Sequence, residues 1–300
     1  MSFFALSNST NQIMIFLTGA SGQLGSAILE RLLELVPANT IAALDRNESR
    51  AKKLEQKGIH VFIGDYAEKA SLLLALKGVE KLLLVSSNSE DALTEHKNVI
   101  EAAKETGVKH VYYTGGASNR NVKQSQLGPL TDAYITTEKY IVESGLTYTI
   151  FQNGLYSETI PFFVGEQVLE TGISFPAGDG KATFAKRSEM GEAIANVMIS
   201  DGHENKIYLL TGQPNYSFAE IAEILSELSG RNVTYHSPDS IAFEAQLKEY
   251  GIQESDIQFS TLFAAIIKNE EYDVKGSDLE QLLGREPTDL RAYLKETFLA

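Results

Sequence analysis

The chain has 300 residues, of which 43% are hydrophobic and 22% are charged, and its formal net charge is −14. A chain of this length buries a large core, in one domain or in a domain with a smaller lobe. The absence of cysteine excludes disulfides and cysteine nucleophiles, and the acidic charge without a dense Lys/Arg run argues against nucleic acid or an anionic membrane as a partner.

The N-terminal segment, residues 1–12, carries one short apolar cluster at residues 3–6. It lacks the basic region of a secretory signal peptide, so we predict a polar leader. No later apolar run reaches the length that spans a bilayer. Together with the absence of cysteine, these features predict a cytoplasmic protein that does not contact the membrane.

A glycine-rich turn follows the first apolar run, residues 13–17, and leads into apolar residues at helical spacing. Gly19 allows a sharp turn, Gly22 removes a side chain where a pyrophosphate meets backbone N–H groups, and Gly25 lets the helix pack close to the sheet. The alternative is a glycine turn without a ligand. The flanking strand and helix, and an acidic Asp45 about 20 residues further on, favour a dinucleotide site. The cofactor contacts predicted in this turn are Gly19, Ala20, Ser21, Gly22, Gln23 and Leu24.

Strands and helices then alternate without a break as far as Tyr156. Apolar runs predict strands at residues 40–44, 59–63, 82–85, 111–113 and 148–151. The intervening helical segments include three that end at Gly58, Gly78 and Gly107, as expected for helix C-termini. This alternation predicts a doubly wound parallel sheet, the Rossmann fold, over residues 13–156.

The pattern changes at about residue 157 to longer helical stretches with short strands between them. Residues 157–300 therefore predict a smaller, mostly helical C-terminal lobe that binds the substrate, with a strand at 207–211 that returns to the main sheet. No flexible linker separates the two parts. The five histidines are scattered without metal-ligand spacing, so no metal site is predicted.

Several segments in this order resemble the NmrA-like atypical short-chain dehydrogenase/reductases, and within that family the bacterial NAD(P)H:quinone oxidoreductases and triphenylmethane reductases. The resemblance covers nearly the whole chain from Ile13. The segments that carry it are residues 19–25, Gly64-Asp65-Tyr66, residues 82–87, residues 107–111, Asn153-Gly154-Leu155-Tyr156 and residues 201–206.

The resemblance implies an NAD(P)-binding lobe, a smaller C-terminal lobe and an acceptor pocket between them. It also implies adenine contacts near Asp65 and Tyr66. Contacts with the ribose or nicotinamide are implied near Ser86, Ser87, Thr114 and Asn153. The implied activity is hydride transfer to a small quinone-like acceptor, and a homodimer is one option for the assembly.

Two adjacent residues give opposite indications about the cofactor. Asp45 at the end of the second strand favours NAD, because a carboxylate accepts from a ribose 2′-hydroxyl and repels a 2′-phosphate. Arg46 stands where the NADPH-using relatives place their phosphate-binding arginine. The structural alternatives are a helix N-cap for Asp45 and a solvated side chain for Arg46. On the resemblance we favour NADPH over NADH.

The usual catalytic dyad of short-chain dehydrogenases, Tyr-x-x-x-Lys, is broken in this chain. Tyr134 has Glu138 at i+4, and Lys139 at i+5 points about 140° round the helix. The relatives carry a His-x-x-Thr-Glu segment where Tyr134 begins Tyr-Ile-Thr-Thr-Glu. Tyr134 is the one catalytic candidate, and its alternative is a half-buried helix tyrosine.

The missing dyad restricts the chemistry. Reduction of a simple carbonyl needs a positioned proton donor, whereas a quinone yields a delocalised anion that water protonates and a cationic triarylmethane dye needs no proton. We therefore predict hydride transfer to conjugated acceptors, with Asn153, Tyr156 and Phe162 near the pocket, although core packing explains Phe162 equally well. The rival prediction is a non-catalytic redox sensor, and an epimerase or dehydratase ranks third.

Overall fold

The structure is a computed structural model that describes residues 14–299 except 120, 123, 124 and 127. The predicted leader at residues 1–12 lies outside the described residues. The strands are β1 (Ile15–Thr18), β2 (Ile41–Asp45), β3 (His60–Ile63), β4 (Lys81–Val85), β5 (His110–Gly116), β6 (Thr147–Asn153), β7 (Leu155–Tyr156), β8 (Ile173–Ser174), β9 (Phe184–Ala185), β10 (Lys206–Leu210) and β11 (Tyr235–His236).

Helices connect these strands and dominate the C-terminal half. Short 3₁₀ turns at Ala38–Thr40 and Ser157–Thr159 accompany them. The α-helices are α1 (Gln23–Leu35), α2 (Glu48–Glu55), α3 (Lys69–Ala75), α4 (Ala92–Thr106), α5 (Pro129–Glu143), α6 (Ile160–Val164), α7 (Val168–Thr171), α8 (Arg187–Ile199), α9 (Phe218–Ser229), α10 (Ser240–Glu249), α11 (Glu254–Lys268), α12 (Leu279–Leu283) and α13 (Leu290–Leu299).

Seven strands form one parallel sheet in the order β10-β6-β5-β4-β1-β2-β3. The order reverses between β1 and β4, which places a ligand crevice outside the carboxyl ends of these two strands. β10, which overlaps the predicted returning strand, pairs with β6 at the edge of the sheet. The predicted doubly wound parallel sheet with a helical C-terminal region is confirmed.

Helices cover both faces of the sheet, so its strands are apolar on both sides. Leu17 faces a core that includes α1 and α8, while the preceding Phe16 faces a core that includes α3 and α4. This alternation follows from the two-residue repeat of a strand. The polar groups at the strand ends remain free to line the crevice.

The C-terminal lobe has its own aromatic core, in which the rings of Phe175 and Phe218 lie 4.5 Å apart. Not all residues after Tyr156 belong to this lobe, because α8 and α12 pack in the Rossmann core. A Cβ on Gly191 of α8 would lie 2.9 Å from Cβ of Ala27, so α8 packs closely on α1. The predicted boundary at 156/157 remains a prediction, and the structure adds that the two parts interleave.

Replacement of Gly25 by alanine tests the packing of α1 on the first turn. The new Cβ would lie 2.0 Å from the carbonyl oxygen of Gly19, which is backbone and cannot move aside. We expect Gly25→Ala to lower the free energy of unfolding by about 3 kcal/mol or more.

The matched control is Gly78→Ala, because Gly78 has a φ of +78° but no atom within 4 Å of the new Cβ. Its loss should be about 1 kcal/mol. Urea unfolding curves of the three proteins give the comparison. Equal losses in the two variants would contradict the packing argument.

Candidate functional site

A cleft of about 300 Å³ lies at the carboxyl ends of β1 to β4. Nine residues predicted from the sequence to bind the cofactor line it, and the wall also contains residues that the prediction did not include. The predicted residues are Gly19, Ser21, Gly22, Asp45, Arg46, Asp65, Tyr66, Ser86 and Ser87, and the others are Leu44, Arg50, Gly64, Val85, Asn88 and Glu95.

The glycine turn presents the first turn of α1 to this cleft. Gly19 has a φ of +64°, and its carbonyl accepts a hydrogen bond from the Gly22 N–H at 2.9 Å. Gly22 is the N-cap of α1, no side chain caps the helix, and no acidic residue lies in its first turn. The N–H groups that begin a helix have no partner within it, so this end suits a phosphate anion. The residues present therefore fit the pyrophosphate of a dinucleotide.

Three further residues predicted in this turn lie around it. Gln23 is exposed at the start of α1, whereas Ala20 and Leu24 are buried. The two buried side chains pack in the core between α1 and the sheet. Ala20 and Leu24 therefore offer backbone groups rather than side chains to a ligand.

The end of β2 combines one buried carboxylate with two arginines. Oδ1 of Asp45 accepts hydrogen bonds from the Asn47 N–H at 2.8 Å and from Nε of Arg50 at 3.2 Å. The side chain of Arg46 is 72% exposed and lies 3.9 Å from Asp65. The N-cap of α2 is Asn47, which accepts from the Arg50 N–H, so the interpretation of Asp45 as that cap is wrong.

Sequence reasoning missed Arg50. The feature that could have drawn attention to Arg50 is its place in the first turn of a helix, where a cation opposes the helix dipole. Arg50 lies in the first turn of α2, and its guanidinium reaches back to Asp45 and lines the cleft. Two arginines, Arg46 and Arg50, therefore line the positive end of the cleft, and Arg50 neutralises the charge of Asp45.

The adjoining strand ends are joined by hydrogen bonds. The Tyr66 hydroxyl donates to the Val85 carbonyl at 3.0 Å, and burial raises the pKa of Tyr66. Asp65 accepts from the Ala67 N–H at 2.9 Å. Thr114 is fully buried and accepts from the Ser86 N–H at 3.2 Å, so it supports the Ser86 segment instead of lining the cleft.

His96 ties the Ser86–Ser87 segment to α5. Its Nε2 accepts from the Ser87 N–H at 2.8 Å, and its Nδ1 donates to the Thr137 hydroxyl at 2.9 Å. The ring also stacks on Tyr134, with 6.5 Å between centroids. Because a backbone N–H can only donate, Nε2 carries no proton, and burial lowers the pKa of His96 to about 4.

Tyr134 lies on α5 and is half-buried. Burial raises the pKa of Tyr134, and a hydrogen bond from the Ser86 side chain opposes that rise. Lys139 is 73% exposed and pairs with Glu143, while the buried Glu138 accepts from the Gln152 amide at 2.9 Å. Tyr134 therefore reaches a segment predicted to bind the cofactor, and Lys139 is engaged elsewhere.

The predicted acceptor residues occupy two different places. Asn153 is buried at the end of β6, and its Oδ1 has no hydrogen-bond partner among the described residues. Tyr156 lies beside it under the guanidinium of Arg187, which is 4.3 Å from the ring centre. Phe162 is 47% exposed and packs on Phe163 and Phe259 of the C-terminal lobe, apart from the cleft.

The described ranges contain no helix long and apolar enough to cross a membrane. Within the same ranges, no three His, Asp or Glu side chains are grouped as a metal ion would require.

The fold and the cleft define a dinucleotide-binding protein of the Rossmann class, and comparison with known proteins gives its family. The chain belongs to the NmrA-like family, whose sequence pattern matches residues 10–295. This confirms the family inferred from the sequence.

Individual relatives narrow the comparison. Quinone oxidoreductase 2 of Escherichia coli is 42% identical over 241 residues, which cover 80% of this chain and 82% of that protein. Citrobacter sp. triphenylmethane reductase in complex with NADP(H) superposes with a TM-score of 0.86 at 34% identity, over 95% of this chain and 99% of that one. An NADPH-dependent quinone oxidoreductase from Escherichia coli in complex with NADPH gives a TM-score of 0.82 at 36% identity, over 95% and 100% of the two chains.

The buried neutral His96 predicts a pH dependence of stability. Unfolded histidine has a pKa of about 6.5, so below that pH the unfolded chain binds a proton that the folded chain refuses until about pH 4. Stability contributed by His96 is therefore present at pH 7 and is lost as the pH falls. Between pH 7 and 4.5 we expect wild type to lose about 2.5 kcal/mol more than His96→Gln, measured by urea unfolding. Parallel pH curves for the two proteins would contradict this.

Proposed function

We propose that this protein is an NADPH-dependent oxidoreductase that transfers hydride to quinones or similar conjugated acceptors, including triarylmethane dyes, without a Tyr-x-x-x-Lys dyad. The observation that carries the proposal is the cleft itself. It joins an uncapped helix N-terminus at the glycine turn to two arginines at the end of β2. The names of the relatives, an NADPH-dependent quinone oxidoreductase and a triphenylmethane reductase bound to NADP(H), support the same cofactor and class of acceptor.

The arrangement at β2 favours NADPH over NADH. Asp45 alone would repel a 2′-phosphate, but one of its oxygens is already bound by Arg50 and a backbone N–H. Arg46 and Arg50 both line the cleft, so a phosphate there would meet two guanidinium groups. Planar guanidinium groups bind phosphate oxygens through paired hydrogen bonds.

The remaining predicted residues would hold the rest of the cofactor. Gly19 and Gly22 would bind the pyrophosphate through backbone groups, and Asp65 and Tyr66 would flank the adenine. Ser86 and Ser87 follow the end of β4, and Asn153 ends β6. Its Oδ1, which has no hydrogen-bond partner among the described residues, fits an amide donor. When bound, NADPH supplies a hydride.

Tyr134 is the catalytic candidate in this proposal. Its phenol stays protonated at neutral pH because burial raises its pKa, so it can donate a hydrogen bond but not act as a base. This property suits a conjugated acceptor, in which the negative charge left by hydride transfer is delocalised. Tyr156, beside Asn153, is proposed to line the acceptor site, whereas Phe162 would contact only an acceptor that extends over the C-terminal lobe.

Arginine substitutions test the choice of cofactor. We expect Arg46→Ala and Arg50→Ala each to raise the KM for NADPH about 10-fold or more, and to change the KM for NADH about twofold or less. The rise in the KM for NADPH should be larger for Arg50→Ala, because that change also leaves the Asp45 carboxylate without its cationic partner.

Lys53→Ala is the matched control, since Lys53 is an exposed cation of α2 outside the cleft. It should keep wild-type kinetics with both cofactors. An equal rise in KM for NADPH and NADH in the arginine variants would show that they do not bind a 2′-phosphate.

A panel of acceptors tests the reaction class. We expect loss of the NADPH absorbance band with 1,4-benzoquinone and with a cationic triarylmethane dye, and no turnover of cyclohexanone, because a simple ketone requires a proton donor as strong as the missing dyad. NADPH binding is measured separately by the rise in melting temperature. Tight NADPH binding without turnover of any acceptor would overturn the proposal of an enzymatic activity and favour the redox-sensor alternative.

A further inference from the structure

Three tyrosines from distant parts of the chain meet at the carboxyl ends of β5 and β6. Tyr134 belongs to α5, Tyr156 ends β7, and Tyr272 follows α11. Burial raises the pKa of each, and the electrostatic influence of Tyr134 and Tyr156 reaches the Tyr272 hydroxyl. The three phenols are therefore protonated at neutral pH, and each offers an O–H donor.

Gly116 marks the point where two of these side chains meet. A Cβ on Gly116 would lie 3.2 Å from Oη of Tyr272 and 3.3 Å from Cδ2 of Tyr134. Gly116 pairs in the sheet with Asn153, whose Oδ1 is buried without a hydrogen-bond partner among the described residues. The Tyr272 hydroxyl thus lies at the strand ends that the proposed function gives to the reacting end of the cofactor.

Hydrogen bonds from two distant segments fix the backbone at Tyr272. The Thr183 N–H donates to the Tyr272 carbonyl at 3.1 Å, and the Asn119 N–H donates to the carbonyl of the preceding Glu271 at 2.7 Å. Tyr272 is 8% exposed, whereas Tyr134 and Tyr156 are half-buried and open the group to solvent. A donor held in this way needs no reorganisation when charge develops next to it.

We propose that Tyr272 is a catalytic residue whose hydroxyl donates a hydrogen bond to the acceptor oxygen that becomes negatively charged. The proposal rests on the proposed function and extends it to the class of acceptor: Tyr272 favours acceptors that carry the new charge on oxygen over acceptors that carry none. The donor thus belongs to the C-terminal lobe, and its hydroxyl reaches the end of β5 at Gly116.

The balance of the reaction is simple. Bound NADPH would supply a hydride as one C–H bond of its dihydronicotinamide breaks and the ring is oxidised. The hydride would form an O–H bond at one oxygen of the quinone, which would be reduced to a hydroquinone monoanion with the charge on its other oxygen. Tyr272 stabilises the anionic oxygen and keeps its own proton, because burial makes its phenol a weaker acid than the hydroquinone. Water supplies the proton that completes the hydroquinone.

The test uses Tyr272→Phe, which removes only the hydroxyl. The value of kcat/KM for 1,4-benzoquinone should fall about 10- to 100-fold, the loss typical of one hydrogen bond to a charged oxygen. Turnover of a cationic triarylmethane dye and the Kd of NADPH should change about twofold or less, because neither depends on an anionic acceptor oxygen. In the presence of NADP⁺, the affinity for 4-nitrophenolate, an unreactive phenolate, should fall about 10-fold.

Tyr112→Phe is the matched control, since Tyr112 is a fully buried tyrosine of β5 that stacks on His110. It should keep wild-type values in every assay. Unchanged quinone turnover and phenolate affinity in Tyr272→Phe would overturn the proposal, as would equal losses with the quinone and the dye. If the wild type turns over no quinone, the proposed function fails, and the phenolate measurement still decides whether Tyr272 binds an anionic oxygen.

Discussion

The close packing of α1 against the turn after β1 is the constraint on which the cleft depends. A side chain on Gly25 would enter the backbone of Gly19, and one on Gly19 would lie 3.0 Å from Val85 of β4. The helix therefore begins directly above the carboxyl end of β1, and the N–H groups of its first turn face the crevice between β1 and β4. In the proposed complex, a dinucleotide with its phosphates held there would extend toward β2 and β3 at one end and toward β5 and β6 at the other.

Charge in the cleft is arranged locally against the charge of the whole protein. The chain carries a net charge of −14, yet the proposed phosphate positions lie at a helix N-terminus and between two arginines. Asp45 binds the guanidinium of Arg50 at 3.2 Å, and Asp65 lies 3.9 Å from that of Arg46. The position of Asp45 at the end of the second strand suggests an NAD site. Because its carboxylate is paired with Arg50, this part of the cleft instead offers a cation to a 2′-phosphate.

Beyond the Ser86–Ser87 segment, the histidine and the tyrosines around the ends of β5 and β6 are neutral. His96 is held uncharged by burial and connects the Ser87 segment to α5, and the neighbouring tyrosines keep their protons for the same reason. A site of this kind would stabilise developing charge without transferring a proton, as the proposed hydride transfer to a conjugated acceptor requires. In that proposal, Tyr272 gives the C-terminal lobe a direct part in the reaction.

The sequence by itself determined the doubly wound sheet, the glycine turn and most of the residues that line the cleft. These features depend on local repeats and on backbone requirements of single residues such as Gly19, which are legible along the chain. Tertiary structure alone decided that Arg50 neutralises Asp45, that α8 packs on α1, and that Tyr272 meets Tyr134 above Gly116. The pairing of side chains depends on how distant segments pack, and no local pattern records which of several buried tyrosines or exposed arginines will meet.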